Sequence, residues 1–384
     1  MCGVAGFLQL SVETGAPLET VAQAMADTLR HRGPDDSGAW ADAEAGIALG
    51  HRRLSIIDLS AAGHQPMTSA NGRFVVSYNG EIYNHGELRG ELEAAGARFR
   101  GHSDTEVVVE GFARWGIEPT LRRLIGMFAF AVWDRETRTL SLIRDRLGIK
   151  PMYWGRFGNT FAFGSELRAI RAHPRAATTI DRDAVADLVR FGYVTGNRSI
   201  YTEVHKVPPA GIVTIGTDGT VGQGAFWQVG AAGASSAETP EDTRVRIEAL
   251  LSDAVKRRMV ADVPLGAFLS GGIDSSAVTA LMQSQSSRPI KTFTVGFGQQ
   301  DYDEADHARL VSTHLGTDHT EIRFDADEGA ALIPRLPEMY DEPFADSSQI
   351  PTFLVSQVAR RDVIVTLSGD GGDEVFAEIG RAHV

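Results

Sequence analysis

The only cysteine among 384 residues stands at position two, in Met1-Cys2-Gly3-Val4-Ala5-Gly6-Phe7. Removal of the initiator methionine would leave Cys2 with both a thiol and a free α-amine. A thiol of pKa about 8.5 is mostly protonated at neutral pH, whereas an α-amine titrating at about 7.7–8.0 can accept its proton. One residue then supplies nucleophile and base, an N-terminal-nucleophile arrangement. A second set of chemistry-bearing residues lies far downstream in Ser270-Gly271-Gly272-Ile273-Asp274-Ser275-Ser276. Two glycines let backbone N–H groups approach an anion, and the hydroxyls and a following helix N-terminus add donors and positive potential. Asp274 beside phosphate calls for a divalent cation between them, which points to Mg2+. A further polar turn, Ser368-Gly369-Asp370-Gly371-Gly372-Asp373-Glu374, offers Asp373 to complete that metal site, with Ser368 and Gly369 following the neighbouring strand. The chain contains no Gly-x-x-x-x-Gly-Lys-Ser/Thr run, so it is not a Walker-type NTPase.

The elements that must position these residues differ between the two halves. Alternating apolar residues predict strands over 4–10, 46–54, 74–78, 127–134, 139–145 and 160–164, and helical spacing predicts helices over 18–29, 84–95 and 105–115. This is an α+β pattern. A small-residue stretch over 221–240 reads as a linker. After it, a helix over 241–259 is followed by strands at 264–269, 291–297, 319–324 and 363–367. Helices over 275–283, 304–315 and 350–361 alternate with those strands. Such alternation implies a parallel α/β sheet with its ligand site between strand ends and helix starts.

Composition bounds the function. Apolar residues at 43% and charged residues at 23% are ordinary for a globular protein, and 384 residues predict two domains. A formal charge of −13 argues against a nucleic-acid or anionic-membrane surface. One cysteine excludes an intramolecular disulfide framework, and no signal segment or membrane-length apolar run is evident, so a cytoplasmic location is expected.

Ser-Gly-Gly-x-Asp-Ser resembles the PP-loop of ATP pyrophosphatases, which implies cleavage of ATP between the α and β phosphates. Cys2 followed by such a domain resembles the glutamine-hydrolysing asparagine synthetase family over nearly the whole chain. Supporting motifs are Arg30-His31-Arg32-Gly33-Pro34-Asp35, Arg53-Leu54-Ser55-Ile56, Asn79-Gly80-Glu81-Ile82-Tyr83-Asn84, Ser103-Asp104-Thr105-Glu106 and Arg144-Asp145-Arg146-Leu147-Gly148-Ile149-Lys150-Pro151. The resemblance implies an Ntn-type glutaminase, a four-layer αββα sandwich, over 2–220, and an α/β PP-loop (adenine nucleotide alpha hydrolase-like) parallel-sheet domain over 241–377. In the first, Cys2 would attack the glutamine side-chain amide, and Asn79 with the Gly80 N–H would form the oxyanion hole. Arg53 would clamp the substrate α-carboxylate, while Asn79, Glu81 and Asp104 complete the glutamine site. Asn79-Gly80 is also a hairpin signal, and both roles can coincide. Arg30, Arg32 and the 144–151 segment are expected to shape the surrounding loops.

In the second domain the resemblance implies activation of a carboxylate as an acyl-adenylate, which ammonia then converts to the amide. Leu269, Ser270, Gly271, Gly272, Asp274, Ser275, Val295, Ser368 and Gly369 would bind ATP, Asp370 would serve adenylate formation, and Asp274 and Asp373 would hold Mg2+. The commonest bacterial form of the family has glutamate where this chain has Asp370, which leaves the acceptor open between aspartate and another carboxylate. A non-catalytic nucleotide-binding fragment is the other reading, against which the retained Cys2 argues. A homodimer is compatible with the sequence. Residues 378–384 depart from the family pattern, and one reverse translation of them contains the start of a widely used sequencing adapter. The expectation is a non-native tail and a synthetase domain cut short.

Overall fold

The computed structural model describes residues 1–11, 16–230, 239–297 and 305–376; the tail expected to be non-native lies outside them. Chain contacts divide it into two compact units, one of Met1–Ala231 with Tyr340–Ala345, the other of Ala232–Met339 with Asp346–Val384.

The first unit carries the strands β1 (Gly3–Gln9), β2 (Asp36–Asp42), β3 (Ile47–Arg53), β4 (Met67–Thr68), β5 (Phe74–Ile82), β6 (Gly126–Asp134), β7 (Thr139–Arg144), β8 (Tyr153–Phe157), β9 (Thr160–Gly164), β10 (Val204–Lys206), β11 (Gly211–Gly216) and β12 (Val221–Ala225). They build two six-stranded sheets, ordered β10-β8-β9-β1-β3-β2 and β12-β11-β7-β6-β5-β4. The period-two alternation of β6 explains how the layers stack. Ala129, Ala131 and Trp133 join Val4, Leu8, Ile47 and Leu49 in the core between the sheets. Phe128, Phe130 and Val132 point the other way, into a core with Leu88, Leu92 and Phe112 from helices His85–Ala94 and Asp104–Trp115. On the far side of the first sheet, Ala5 and Phe7 meet Ala22, Met25 and Ala26 of helix Leu18–Asp27, with Leu167, Ile170 and Ala184. The result is the four-layer αββα sandwich that the sequence resemblance implied, with three separate apolar cores.

The second unit has four parallel strands, β13 (Leu265–Phe268), β14 (Lys291–Phe297), β15 (Asp318–Phe324) and β16 (Val365–Leu367), in the order β15-β14-β13-β16. Helix Pro240–Arg258 opens with a Thr239–Asp242 capping box, which satisfies two otherwise orphaned N–H groups. It supplies Val255 to a core with Met282 of helix Ile273–Ser284 on one face of the sheet. Val358 and Ala359 of helix Gln349–Ala359 pack with Phe293 on the other face. Helices on both faces make this a doubly wound α/β unit. Chain order runs outward from β13 to β14 and β15, then returns to β16 on the opposite side. The switch point therefore lies at the carboxyl end of β13.

Three expectations are corrected. Asn79-Gly80 is not a hairpin turn, because β5 runs unbroken to Ile82 with Asn79 opposite Ala129 and Gly80 opposite Phe128. Glycine is needed there for close approach: a Cβ on Gly80 would sit 2.2 Å from the Met127 carbonyl oxygen. The stretch read as a linker over 221–240 begins with β12, whose exposed Val-Gly-Gln-Gly-Ala segment is held by backbone pairing with β11 rather than by an apolar pattern. Its other end, Pro240, is already helical. Tyr340–Ala345 clusters with the first unit. There Asp341 accepts from the Arg168 N–H at 2.8 Å and Glu342 pairs with Lys206 at 2.7 Å.

Candidate active site

The antiparallel register of β1 and β3 sets Gly3 opposite Arg52, which brings Cys2 beside Arg53 and Leu54. The Leu54 N–H donates to the Cys2 sulfur at 3.4 Å, and the Arg32 Nε donates to the Cys2 carbonyl at 3.0 Å. Arg32 is itself held by Glu166 at 2.9 Å, a carboxylate that also takes His31 at 2.9 Å and Arg168 at 3.0 Å. Burial pushes the Cys2 thiol up; the N-terminal ammonium and the Leu54 backbone oppose that rise, and the charges of Asp104 and Arg53 act on it in opposite senses. The Met1 amine is lowered to about 5, first by burial and then by Arg32 and Lys150, against Cys2 and Glu81.

The sheet facing this one contributes the middle and end of β5. Asn79 is 1% exposed, and its Nδ2 has no hydrogen-bond partner among the described residues. Two bonds staple its surroundings to the first sheet: His51 Nε2 with the Tyr78 carbonyl at 2.9 Å, and Ser77 Oγ to the Gly50 carbonyl at 3.0 Å. Asp104 begins helix Asp104–Trp115, whose N-cap Ser103 accepts from the Glu106 N–H. Its carboxylate accepts from the Tyr78 hydroxyl at 2.8 Å and the Ile82 N–H at 3.0 Å, yet burial outweighs these donors and raises its pKa. The Arg53 guanidinium donates to the carbonyls of Ser60 at 3.1 Å, Ile57 at 3.3 Å and Asp58. These bonds fix the 57–60 loop around it. A Cβ on Gly63 would meet that guanidinium, so a larger residue there requires Arg53 to shift.

The structure thus draws Cys2, Arg53, Asn79, Gly80, Glu81 and Asp104 to one end of the paired sheets. It adds two residues that sequence patterns assigned only to loop shaping. Arg32 holds the Cys2 carbonyl, and Lys150, 5% exposed, directs its Nζ to the Met1 sulfur at 3.2 Å. Asp145 sets the Lys150 loop by accepting from the N–H groups of Phe128, Leu147, Ile149 and Lys150. The signal was in Arg144–Pro151, where an arginine-aspartate pair precedes a lysine. Spacing alone does not say where that lysine points.

In the second unit a cleft of about 550 Å³ opens at the carboxyl end of β13. It is lined by Leu269, Ser270, Gly272, Asp274, Ser275, Val295, Ser368, Gly369, Asp370 and Asp373, all expected from sequence. Gly271 lies outside the lining, at φ +85°, where a Cβ would meet the Ala308 nitrogen at 2.7 Å. The loop is organised internally: Ser270 and Ser275 hydroxyls lie 2.9 Å apart, and the Gly272 N–H donates to the Ser270 hydroxyl at 3.2 Å. Across the cleft the Ser368 hydroxyl donates to Asp370 at 2.9 Å. Burial, followed by the neighbouring Asp373 and Glu374, raises the Asp274 pKa. No group of three or more His, Cys, Asp or Glu suited to a metal occurs among the described residues. A pair of carboxylates fits Mg2+, which commonly takes one or two protein carboxylates and completes its shell with phosphate oxygens and water.

An αββα sandwich with Cys2 at the start of its chain is thus joined in sequence to a doubly wound α/β unit with a cleft at its switch point. Residues 1–227 match the glutamine amidotransferase domain family, and residues 246–383 match the asparagine synthase family. Over 98% of this chain, it is 34% identical to asparagine synthetase [glutamine-hydrolyzing] 3 of Bacillus subtilis, covering 63% of that protein. It is 37% identical to a putative asparagine synthetase [glutamine-hydrolyzing] of Mycobacterium tuberculosis over 98% of this chain and 60% of the relative. The identity to putative asparagine synthetase [glutamine-hydrolyzing] 2 of Methanocaldococcus jannaschii is 35%, with 98% of this chain and 75% of the relative covered. The chain belongs to the glutamine-hydrolysing asparagine synthetase family. It spans less than two thirds of the length of the first two of these relatives. No described helix is long and apolar enough to cross a membrane.

Proposed function

We propose that this chain supplies the glutaminase and nucleotide-activating parts of a glutamine-dependent asparagine synthetase. The observation that carries the reading is Asn79: a buried amide donor without a partner among the described residues, on the strand facing the Cys2 sheet. A buried unpaired donor is costly unless a ligand uses it.

In the first unit, Cys2 Sγ attacks the glutamine side-chain carbonyl as its proton passes to the α-amine. Asn79 Nδ2 and the Gly80 N–H stabilise the resulting oxyanion, donors that matter because charge develops there only in the tetrahedral intermediate. The C–N bond breaks, the proton leaves with ammonia, and water hydrolyses the thioester to glutamate. Arg53 meets the substrate carboxylate, while Glu81 and Asp104 accept from its amine. In the second unit, ATP sits in the β13 cleft with its phosphates against Ser270–Ser275. Mg2+, held by Asp274 and Asp373, would neutralise phosphate charge when bound. The acceptor carboxylate, aspartate in the favoured reading, displaces pyrophosphate from the α-phosphorus to give an acyl-adenylate, and ammonia then displaces AMP.

Two assays on separate parts test this. Glutamate release from glutamine should be present in the wild type and abolished in Cys2→Ala. Exchange of labelled pyrophosphate into ATP should depend on Mg2+ and on the carboxylate supplied. Exchange with another carboxylate but none with aspartate would replace the acceptor, and glutaminase activity surviving Cys2→Ala would refute the nucleophile.

A further inference from the structure

The α-amine of an N-terminal nucleophile must be unprotonated when it receives the thiol proton, and the structure places two cations at the start of the chain. Lys150 Nζ lies 3.2 Å and Arg32 Nη2 3.9 Å from the Met1 sulfur, and Arg32 Nε also holds the Cys2 carbonyl at 3.0 Å. Lys150 is 5% exposed. Its N–H donates to Asp145 at 2.9 Å, its carbonyl accepts from Arg144 Nε at 2.8 Å, and Arg144 continues to the Val207 carbonyl at 3.0 Å. A long cationic side chain is therefore fixed at its base and aimed at the chain start.

We propose that Lys150 is an electrostatic positioning residue for the N-terminal nucleophile: with Met1 removed, its ammonium and the Arg32 guanidinium face the Cys2 α-amine and keep it in its proton-accepting form. This rests on the glutaminase reading above and adds to it the group that tunes the base. The groups facing the site are Lys150, Arg32 and Arg53 as cations and Glu81, Asp104, Asp145 and the Cys2 thiol as acids. Glu81 acts on both the amine and Lys150, and opposes the cations at each. Burial lowers Lys150 while Glu81 raises it, so the carboxylate also helps keep the lysine charged. At an effective dielectric of about 20, a full charge within about 10 Å moves a neighbouring pKa by about one unit or more. Glu81 acts in both proteins, so removal of the Lys150 charge alone should raise the α-amine midpoint by about one pH unit.

The test uses the whole chain after N-terminal mass analysis shows that Cys2 is the first residue. The pH dependence of α-amine carbamylation by cyanate gives the amine midpoint without catalysis, and the acid limb of kcat/KM for glutamine hydrolysis gives it under turnover. In Lys150→Met both midpoints should rise by about one pH unit, and Lys150→Arg should restore them. Glu81→Gln should move the carbamylation midpoint downward, which gives a folded comparison if Lys150→Met does not accumulate. An unchanged carbamylation midpoint in either Lys150→Met or Glu81→Gln overturns the proposal, as does a fall in kcat with no movement of the acid limb. A shifted carbamylation midpoint in protein without glutaminase activity would sustain the Lys150 assignment while refuting the glutaminase reading.

Discussion

Gly80→Ala would separate the packing of β5 from the chemistry it carries. The added methyl would start 2.2 Å from the Met127 carbonyl oxygen and 2.8 Å from the Phe128 Cα. Both obstacles are backbone, so no side-chain rotation relieves them. Reaching even 3.0 Å from that oxygen needs about 0.8 Å of displacement between β5 and β6, strands paired over nine residues from Phe74↔Asp134 to Ile82↔Gly126. Overpacking of this kind costs about 1–3 kcal/mol. A misplacement near 1 Å at a catalytic donor can cost about 100-fold in rate. Gly90→Ala is the matched control, because it lies in the middle of helix His85–Ala94 with no atom within 4 Å of the new Cβ. It should stabilise by about 0.5–1 kcal/mol. Thermal unfolding and steady-state glutamate release would be measured on both variants. Wild-type kcat in a stable Gly80→Ala protein would refute the claim that the β5–β6 spacing sets the oxyanion donors.

Three further outcomes follow from other parts of the molecule. Asn79→Ala should lower glutaminase kcat by about 10²–10³ with little change in KM; a loss confined to KM would assign Asn79 to ground-state binding. Burial drops the His51 pKa from 6.5 to about 4 despite its bond to the Tyr78 carbonyl. Its stabilising contribution is fully present above about 6.5 and lost as pH falls toward 4, because the unfolded chain binds the proton first; the amount is about 3 kcal/mol. Urea unfolding of wild type and His51→Gln between pH 7.5 and 4.5 should show a steeper loss in the wild type, and parallel curves would contradict the assignment. Gly369→Ala would bring a methyl 2.8 Å from the Ser275 nitrogen and 2.9 Å from the Asp274 Cβ. Calorimetric titration with ATP and Mg2+ should then show at least about tenfold weaker binding while glutamine hydrolysis is retained, and unchanged affinity would remove the phosphate assignment.

What sequence could reveal depended on how each element earns its stability. β6 was legible because its alternate faces enter two different apolar cores. β12 was not, since its exposed glycines and glutamine are held by backbone pairing that leaves no side-chain pattern. Asn79-Gly80 reads as a turn by composition, but the glycine answers to a neighbouring strand whose approach no local window contains. Tyr340–Ala345 joins the first unit through Asp341 and Glu342, and their partners Arg168 and Lys206 are more than one hundred residues away in sequence.

The site was legible for a different reason. The Ser270–Ser275 loop is local: it closes its own hydrogen bonds within six residues, so residue order carries most of its geometry. The environment of Cys2 is assembled from separated segments, including the Arg32 loop, the end of β3, β5, the start of helix Asp104–Trp115 and the Asp145-organised loop. Residues with a recognisable motif role were named from sequence. Those brought to the start of the chain by tertiary contacts, Arg32 and Lys150, needed the fold. The same distinction predicts where substitution is tolerated: a change inside the Ser270 loop alters its own hydrogen bonds, whereas a change at Asp145 can reach Cys2 by loosening Lys150. Asp145→Asn should therefore raise the α-amine midpoint in the same direction as Lys150→Met, with thermal unfolding also shifted because four backbone N–H groups lose a charged acceptor. A destabilised Asp145→Asn protein with an unmoved amine midpoint would show that the loop supports the fold without setting the position of its lysine.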